Sequence, residues 1–451
     1  MHDFLSPACP AAYHFIGRVL YSLAKDRNRP ENTQSRKSRM DARTDAKHAL
    51  GEPGVLVSRS ALLHNARLLR RAVAPRTRVC AIIKADAYGH GAAIVADALC
   101  NFSDRASDSD APAVDALAVA SIDEADALPD PGVPVIVFRP VENTFVGRQR
   151  LKLEHAIRNG WVLTVCSPAA AEDVARVALS CGKRAAVQVM IDTGMTRSGV
   201  CVEALDELLR RVNTRASLRL VGLCTHFSNA ETPDDSFTRR QLSRFVDCTS
   251  AVAGSAGAGV VRHAANSAAT FFAPESHLDM VRPGIALYGV DPTGRPSLDR
   301  ALRPALRWTA PLVGVKAVRK GTGVGYGQTW LAERDTRVGL VPVGYADGYP
   351  RCYSNRAVVM VHGRPAPVVG RISMDLTTID LGDVPHATVG DEVTLLDPDP
   401  LSPASVYALA RWADTIPYEV LCRIGPRVKR VAIDPEESDD ARPLLSGEGR
   451  A

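Results

Sequence analysis

The chain has 451 residues, of which 46% are apolar and 23% are charged, a composition typical of a globular protein with room for two domains. The formal net charge is +5, and residues 1–50 carry nine Lys and Arg against five Asp and Glu, so the remainder is almost neutral. This distribution argues against a nucleic-acid-binding surface on the folded part, and no apolar run approaches the ~20 residues that a transmembrane helix needs.

Residues 1–53 are predicted to be a disordered basic extension. Residues 25–53 are polar and rich in Ser, Arg and Asp, which is typical of disorder. The apolar stretch before them is interrupted by His14 and Arg18 and has no basic start, so it makes a poor secretory signal. The ten cysteines show neither a CxxC pair nor metal-ligand spacing. We therefore expect a cytoplasmic protein with reduced cysteines and no metal site.

From residue 54 to residue 295, short β-branched runs alternate with amphipathic helical patterns. One helical stretch begins with the capping box Ser121-Ile-Asp-Glu124. Eight buried strands with crossover helices, and no GxGxxG turn, favour a (β/α)8 barrel of the TIM type over an open doubly wound sheet. The predicted strands are Val79–Ile83, Ala116–Ala120, Pro134–Phe138, Leu163–Cys166, Ala185–Ile191, Leu218–Cys224, Val260–Ala264 and Met280–Ile285.

Residues 296–435 differ in composition and predict a mostly β C-terminal domain, with a polar tail at 436–451. Valine-rich runs are separated by Gly and Pro, and one helix is expected near Ser405–Ala413. The chain is thus predicted to be α/β plus β, with an N-terminal barrel followed by this domain. Its predicted strands are Leu312–Val318, Val338–Val343, Ala357–Val361 and Glu392–Leu396.

The most informative segment is Cys80-Ala-Ile-Ile-Lys-Ala-Asp-Ala-Tyr-Gly-His-Gly91, at the end of the first predicted barrel strand. A lysine at the mouth of a buried strand can lose its proton by desolvation and form a Schiff base with an aldehyde. Glycine-rich backbone just beyond it can approach a phosphate closely. Most lysines at strand ends simply extend to solvent, so Lys84 has to be judged with its surroundings.

Other polar residues also follow predicted strands, where the catalytic groups of such barrels gather. Each has a structural alternative: His226 alone would more often be a satisfied core histidine, and Arg282 before a proline would serve in a salt bridge between domains. Their coincidence at one end of the barrel favours an active site. The residues are Lys84, Arg197, His226, Asn266, Ser267 and Arg282.

These motifs, in the same order, resemble those of alanine racemases over residues 54–431. Further matching segments in the barrel are Asp192-Thr-Gly-Met-Thr-Arg-Ser-Gly199, Thr225-His-Phe227, His263-Ala-Ala-Asn-Ser267 and Arg282-Pro-Gly-Ile285. Those in the second domain are Gly325-Tyr-Gly327, Gly344-Tyr-Ala-Asp-Gly348, Gly370-Arg-Ile-Ser-Met-Asp375 and Ile416-Pro-Tyr-Glu-Val420. The resemblance implies a pyridoxal-phosphate-dependent homodimer that interconverts L- and D-alanine and supplies D-alanine for peptidoglycan.

The resemblance implies two catalytic bases and a partner for the cofactor ring. Inverting Cα requires a base on each face of that carbon. Lys84 would carry the cofactor and serve one face, and Tyr326, reaching the partner's active site, would serve the other. Arg282, supported by His226, would face the pyridine nitrogen. An arginine there cannot accept a proton, which makes the cofactor a weaker electron sink and disfavours side reactions such as transamination.

The resemblance also implies contacts to the phosphate group and to the substrate. Arg197 is expected to contact both the phenolic oxygen of the cofactor and the substrate carboxylate. The residues expected at the phosphate group or beside it are Tyr88, Asn266, Ser267, Gly284, Ile285 and Tyr418. The residues expected to bind the substrate are Arg197, Tyr345, Met374 (through its backbone) and Asp375.

Two positions depart from the family pattern. Many members carry a lysine, often carbamylated, seven residues before the cofactor-facing arginine, and this chain has Met190 there. The negative charge that would restrain Arg197 is therefore missing, and chloride or the Met190 sulfur is expected to fill the space. Asp86 stands where asparagine is common.

Three other functions compete with alanine racemisation. A broad-specificity or serine racemase of the same fold is the nearest alternative, because pocket residues that select the substrate are not readable from one sequence. A pyridoxal-phosphate-dependent amino-acid decarboxylase would need a carboxylate in place of Arg282. A non-catalytic carrier of the cofactor would have the barrel without the domain that bears Tyr326.

Overall fold

The computed structural model describes residues 51–101, 112–141, 147–233, 235–255 and 259–433, which belong to one compact unit. Nearly all of the predicted extension (1–53) and the whole predicted tail (436–451) lie outside these residues. Within the described ranges, no helix combines the length and apolar character that crossing a membrane requires. Nor do the His, Cys, Asp and Glu side chains of these ranges form a group able to hold a metal ion.

Eight parallel strands form the predicted barrel. In order of pairing they are Met280–Val281, Arg78–Ile82, Ala116–Val119, Val135–Val137, Val162–Val165, Ala185–Asp192, Leu218–Cys224 and Val261–His263. Backbone hydrogen bonds from Asp279 to Arg262 (3.1 Å) and from Arg282 to Ala265 (2.8 Å) join the last strand to the first and nearly close the ring. A two-residue strand, Val200–Cys201, pairs with Ala185–Asp192. All eight predicted strands are thus confirmed within one or two residues at most ends.

Helices follow the strands because their apolar faces can cover the ring. The helix Pro168–Ser180 shows why: Ser167 caps its first turn, proline occupies the first position, and Val174 and Ala178 lie on the buried face. The other helices of this region are Arg59–Arg71, Ala92–Cys100, Ile122–Asp126, Arg148–Arg158, Leu205–Thr214, Ser236–Ser255 and Ser267–Phe272, with 3-10 turns at Val202–Ala204, Pro274–Ser276 and Ile285–Tyr288.

The second domain is mostly β, as predicted. Its six-stranded sheet has the order Arg364–Pro367, Val358–Val361, Glu392–Leu396, Leu306–Pro311, Gly54–Ser58, Lys429–Ile433. A three-stranded sheet comprises Gly314–Val318, Thr336–Val341 and Thr377–Asp380, and Gly323–Val324 pairs with Trp330–Leu331. The helices are Val406–Trp412 and Pro417–Cys422, with 3-10 turns at Tyr326–Gln328, Tyr345–Asp347 and Arg351–Tyr353. The predicted fold class, a TIM-type barrel followed by a mostly β domain, is confirmed.

The first described strand lies in the sheet of the second domain. Gly54–Ser58 pairs antiparallel with Leu306–Pro311 and parallel with Lys429–Ile433. The predicted barrel range began at residue 54, so this strand corrects that boundary. A five-residue apolar strand carries no information about its partner, which is why the sequence pattern could not assign it.

The second domain packs directly on the segment that follows Lys84. The helix Pro417–Cys422 approaches so closely that a Cβ added at Gly89 would clash with the carbonyl oxygen of Leu421. The guanidinium group of Arg430 donates hydrogen bonds to the carbonyl oxygens of Gly89 (3.1 Å) and Ile424 (2.6 Å). These contacts carry Tyr418 to the carboxyl end of the barrel strands.

Candidate active site

Lys84 begins a left-handed turn at the end of the strand Arg78–Ile82. The next four residues, Ala85–Tyr88, all have φ between 51° and 54°. None of them is glycine, and this conformation costs an L-residue roughly 1–2 kcal/mol. Backbone hydrogen bonds from Ala87 to Ile83 (2.9 Å) and from Gly91 to Asp86 (2.9 Å) close the turn. Such strained segments persist only where the surrounding structure holds them, and they concentrate at functional sites.

The environment of Lys84 favours its neutral form. The side chain is accessible at the mouth of the barrel, but the protein atoms around it lower its pKa from the usual 10.5 by desolvation. The positive charges of Arg197 and Arg282 lower this pKa further, while Cys422 and Glu124 raise it. A lower pKa increases the fraction of free amine at neutral pH, which is the form that attacks a carbonyl group.

Arg282 lies buried at the same end of the barrel, between two histidines. Its guanidinium group donates to Nδ1 of His263 (3.0 Å) and, more weakly, to Nδ1 of His226 (3.4 Å). It also donates to the carbonyl oxygens of Thr225 (2.8 Å) and Ala264 (2.9 Å). In the part of the chain that the structure describes, its Nε–H makes no hydrogen bond and remains available to a ligand acceptor.

Both histidines are neutral at physiological pH. Burial, followed by the charge of Arg282, lowers the pKa of His263 well below 6.5. Burial and the charges of Arg282, Arg197 and Lys84 lower the pKa of His226 to about 3. Each ring therefore accepts at Nδ1 and carries its proton on Nε2. The sequence motifs assigned the support of Arg282 to His226 alone, whereas His263 makes the shorter contact.

Hydroxyl groups and backbone amides converge beside this arginine. The Oγ atom of Ser267 accepts hydrogen bonds from the amides of Gly284 (2.8 Å) and Ala286 (3.3 Å). The Oη atom of Tyr88 reaches Gly284 so closely that a Cβ there would clash with it. The ring of Tyr418 lies 6.0 Å from that of Tyr88. Uncharged donors grouped in this way suit a phosphate group.

Asn266 and Ile285 have structural roles beside these hydroxyl groups. The Oδ1 atom of Asn266 accepts from the amide of Ala269 (2.9 Å), so its side chain caps the helix Ser267–Phe272. Ile285 is fully buried and begins the 3-10 turn Ile285–Tyr288. Only its backbone can therefore face a ligand.

Replacing Gly284 with alanine is expected to weaken binding of pyridoxal phosphate, the cofactor that the resemblance implies, about tenfold. The added methyl group would displace Tyr88, since overpacking costs ~1–3 kcal/mol and 1.4 kcal/mol is a factor of ten in affinity. Equilibrium binding of the cofactor, followed by absorbance, measures the effect. Gly314→Ala is the control, because its Cβ would make an ordinary contact with Leu340 at 3.6 Å. Equal affinity in both variants would contradict this geometry.

Arg197 lies near Lys84 and His226, since its charge lowers the pKa of both. The loop that carries it is held by Asp192, whose Oδ1 accepts from the amides of Gly194 (2.9 Å) and Thr196 (3.1 Å). No described carboxylate forms an ion pair with Arg197. The sulfur of Met190, which was expected to fill the space of a carbamylated lysine, accepts a hydrogen bond from Ser198 instead (3.4 Å). The nearby Gln188 also bonds elsewhere, since it donates to Thr164 (2.8 Å).

The remaining predicted site residues lie on the second domain and face outward. The side chain of Tyr326 is 71% exposed, on a turn framed by Gly325 and Gly327, both with positive φ. Tyr345 and Met374 are also exposed, and their segments are joined by a hydrogen bond from the amide of Ala346 to the carbonyl of Met374 (3.0 Å).

Asp375 belongs to the same outward-facing group. Its carboxylate pairs with Arg427 (2.8 Å), which also binds Asp347. Among the described residues, no hydrogen bond or ring contact joins Tyr326, Tyr345 or Met374 to Lys84. One chain thus brings together the barrel residues of the predicted site but does not add these four.

Comparison with known proteins agrees with the motif order. Residues 57–292 match the family model for the alanine racemase N-terminal domain, and residues 305–432 match that for the C-terminal domain. An alanine racemase from Chlorobaculum tepidum is 38% identical over 383 residues, which are 84% of this chain and 94% of the relative.

Solved structures give the same result. An alanine racemase from Clostridium difficile 630 superposes with a TM-score of 0.76 at 32% identity, covering 85% of this chain and 96% of that one. The alanine racemase of Streptomyces coelicolor gives 0.75 at 35% identity, covering 86% of this chain and 99% of that one. The resemblance predicted from the motifs is confirmed, and the protein belongs to the alanine racemase family of isomerases.

Proposed function

We propose that the protein interconverts L- and D-alanine with pyridoxal phosphate, using Lys84 and Tyr326 as the two bases. The observation that carries this proposal is the position of Arg282, held by two neutral histidines at the barrel end where Lys84 emerges. A site for amino-acid decarboxylation on a related barrel would need a carboxylate there. A simple cofactor carrier would have the barrel without the second domain, whereas this chain has that domain and an exposed Tyr326 on it.

The donor set fits pyridoxal phosphate. Ser267, Tyr88 and Tyr418, with the backbone at Gly284 and Ile285, would hold the phosphate group, and Lys84 would bind the aldehyde carbon. The unpaired Nε–H of Arg282 would face the pyridine nitrogen, and Arg197 the phenolic oxygen. When bound, the cofactor supplies an electron sink for the charge that develops at Cα.

The chain's own groups would move the protons. The Nζ atom of Lys84, with its lowered pKa, would take or return the α-proton on one face of the substrate. Arg282 presents hydrogen-bond donors and no acceptor, so it would leave the pyridine nitrogen unprotonated. The cofactor would then be a weaker electron sink. Arg197 would orient the substrate carboxylate, with the backbone near Met374 and the side chains of Tyr345 and Asp375 completing the pocket.

A second copy of the chain would supply the other base. Inversion needs a base on the opposite face, and Tyr326 is exposed on the second domain, with no hydrogen bond or ring contact to Lys84 among the described residues. A head-to-tail homodimer would bring the partner's Tyr326 to Lys84, which is a shared-site arrangement. The described cysteines are free, which is compatible with the proposed action in the cytoplasm and supply of D-alanine for peptidoglycan.

A substrate comparison tests the proposal against a broad-specificity or serine racemase. The full-length protein with pyridoxal phosphate should show a higher kcat/KM for L-alanine than for L-serine or L-lysine, measured by chiral chromatography of the products. A higher kcat/KM for serine or lysine would identify that amino acid, rather than alanine, as the preferred substrate. Turnover to an amine with release of carbon dioxide would establish a decarboxylase instead.

Activity is expected to depend on chloride, because Arg197 has no fixed anionic partner among the described residues. An exposed ion pair is worth ~0.2–1 kcal/mol, so the rate should rise by up to about fivefold between chloride-free and saturating chloride. Initial rates at constant ionic strength, with gluconate replacing chloride, measure this effect. Met190→Lys in bicarbonate should lessen the dependence if that lysine becomes carbamylated. Rates that do not change with chloride concentration would contradict a role for a bound anion at Arg197.

A further inference from the structure

The left-handed turn after Lys84 needs support from outside its own backbone. Four consecutive L-residues in this conformation cost roughly 1–2 kcal/mol each, and the hydrogen bonds within the turn involve only some of its amides. The amide of Ala85, the first of the strained residues, has no backbone acceptor within the turn. Whatever accepts its hydrogen bond therefore constrains the peptide unit that joins Lys84 to the turn.

Glu124 accepts that hydrogen bond. Its Oε1 atom accepts from the amide of Ala85 (3.1 Å), and its Oε2 atom accepts from the amide of Ala120 (2.6 Å). Because Ala120 follows the neighbouring strand Ala116–Val119, one carboxylate ties together the ends of two adjacent barrel strands. Both bonds are charge-assisted and link rigid backbone, so they restrict the turn more than neutral bonds would.

This arrangement differs from the capping box that the sequence pattern predicts. The first half of that motif is present, since Oγ of Ser121 accepts from the amide of Glu124 (3.2 Å). In the second half, the glutamate side chain would return to the amide of Ser121. Instead it crosses to Ala120 and Ala85. The helix Ile122–Asp126 thus keeps its Ser121 cap but gives up the second half of the capping box, which leaves the carboxylate at the lysine turn.

The charge of Glu124 also acts on the lysine. Among the groups that face Lys84, Arg197 and Arg282 are cationic and lower its pKa, whereas Glu124 is the one carboxylate and raises it, as does the thiol of Cys422. The carboxylate therefore opposes the two arginines. Without it, the ammonium form of Lys84 would lose its one anionic neighbour among the described residues.

We propose that Glu124 is a positioning residue for Lys84, which it orients through the amide of Ala85 and whose protonated form it stabilises. The proposal rests on the assigned role of Lys84. Glu124 lies outside the residues proposed to contact cofactor and substrate. Its carboxylate would nevertheless influence both the orientation and the reactivity of the Lys84 amine.

The test compares Glu124→Gln with Asp123→Asn in the full-length protein. Glutamine keeps the shape and one acceptor oxygen but removes the charge. Asp123 is the neighbouring acid of the same helix, where it pairs with Lys152 (2.6 Å) and not with the turn, so its variant controls for loss of a charge nearby. Circular dichroism in the far ultraviolet verifies that both variants fold.

The first readout needs no catalysis. Protein stripped of cofactor is pulsed with formaldehyde and cyanoborohydride across a pH series, and methylation of Lys84 is quantified by peptide mass spectrometry. Glu124→Gln should move the midpoint for Lys84 to lower pH, since losing a nearby opposite charge lowers the pKa of an amine. Asp123→Asn should leave the midpoint unchanged. An unshifted midpoint in Glu124→Gln would overturn the electrostatic part.

The second readout is the visible circular dichroism of the protein reconstituted with pyridoxal phosphate, together with kcat and KM. Glu124→Gln should weaken the dichroic band of the bound cofactor and lower kcat by about 10–100-fold at similar KM, since small misplacements of a reacting group cost up to 10²-fold. A band and a kcat equal to those of Asp123→Asn would overturn the positioning role. If wild-type protein proves inactive while the methylation midpoint still shifts, the proposed function fails and the action of Glu124 on Lys84 stands.

Discussion

Replacement of Lys84 with alanine is expected to lower racemase activity by about 10⁴-fold. The variant loses both the amine that binds the cofactor and one of the two bases, and a positioned base alone contributes up to ~10⁴-fold. The wild-type protein should absorb near ~420 nm with pyridoxal phosphate, as a protonated Schiff base does, and the variant should not. Borohydride reduction followed by peptide mapping should find the cofactor on Lys84.

Lys183→Ala is the matched control, because that lysine is exposed and precedes the strand Ala185–Asp192, at the opposite end of the strand from the motif that carries Arg197. It should retain both the absorbance and the activity of the wild type. A reduced, labelled peptide that lacks Lys84 would contradict the assignment even if activity fell.

A mixture of two inactive variants should regain activity if the sites are shared. In Lys84→Ala the tyrosine is intact, and in Tyr326→Phe the lysine is intact. Random exchange of subunits at equal concentrations makes half of the dimers heterodimers, and each of these has one intact site, so about a quarter of the wild-type activity should return. The measurement is the initial rate after a brief exposure to mild denaturant and refolding.

Two controls make the result interpretable. Tagging each variant differently allows the heterodimers to be isolated and counted. Each variant mixed with itself through the same procedure should stay inactive. Heterodimers that form but remain inactive would mean that each site is built from one chain, and that Tyr326 acts elsewhere.

The sequence predicted the architecture because barrel strands are short apolar runs that recur with helices between them. It could not place the strand Gly54–Ser58, whose partners Leu306–Pro311 and Lys429–Ile433 are distant in the chain. Nor could it predict the left-handed turn Ala85–Tyr88, because alanine and tyrosine rarely adopt this conformation and no glycine marks it. That geometry depends on contacts from outside the turn.

The barrel half of the candidate site was predictable because its residues follow strand ends. Lys84, Ser267 and Arg282 are brought together at one end of the barrel by the closure of the ring alone. His263 was part of a quoted motif, but nothing in the sequence distinguished its contact with Arg282 (3.0 Å) from that of His226 (3.4 Å).

Glu124 was hidden for a different reason. Its position in Ser121-Ile-Asp-Glu124 already had a complete explanation as a helix start, and only the folded structure shows that its carboxylate reaches Ala85 instead. A local motif can therefore conceal a longer-range contact made by the same side chain. Tyr326 is the opposite case. Its motif predicts a catalytic role, but in the described part of one chain its side chain faces outward and has no hydrogen bond or ring contact with Lys84 that would show that role.

Hydrogen exchange at Cα in the Tyr326→Phe variant tests the two-base account most directly. The variant, loaded with pyridoxal phosphate in D₂O, is incubated separately with L-alanine and D-alanine, and deuterium at Cα and configuration are both followed by chiral chromatography with mass spectrometry. With Lys84 as the one remaining base, a single enantiomer should gain deuterium while keeping its configuration, and the other should stay unlabelled. Deuterium entering both enantiomers, or racemisation continuing at the wild-type rate, would contradict the account.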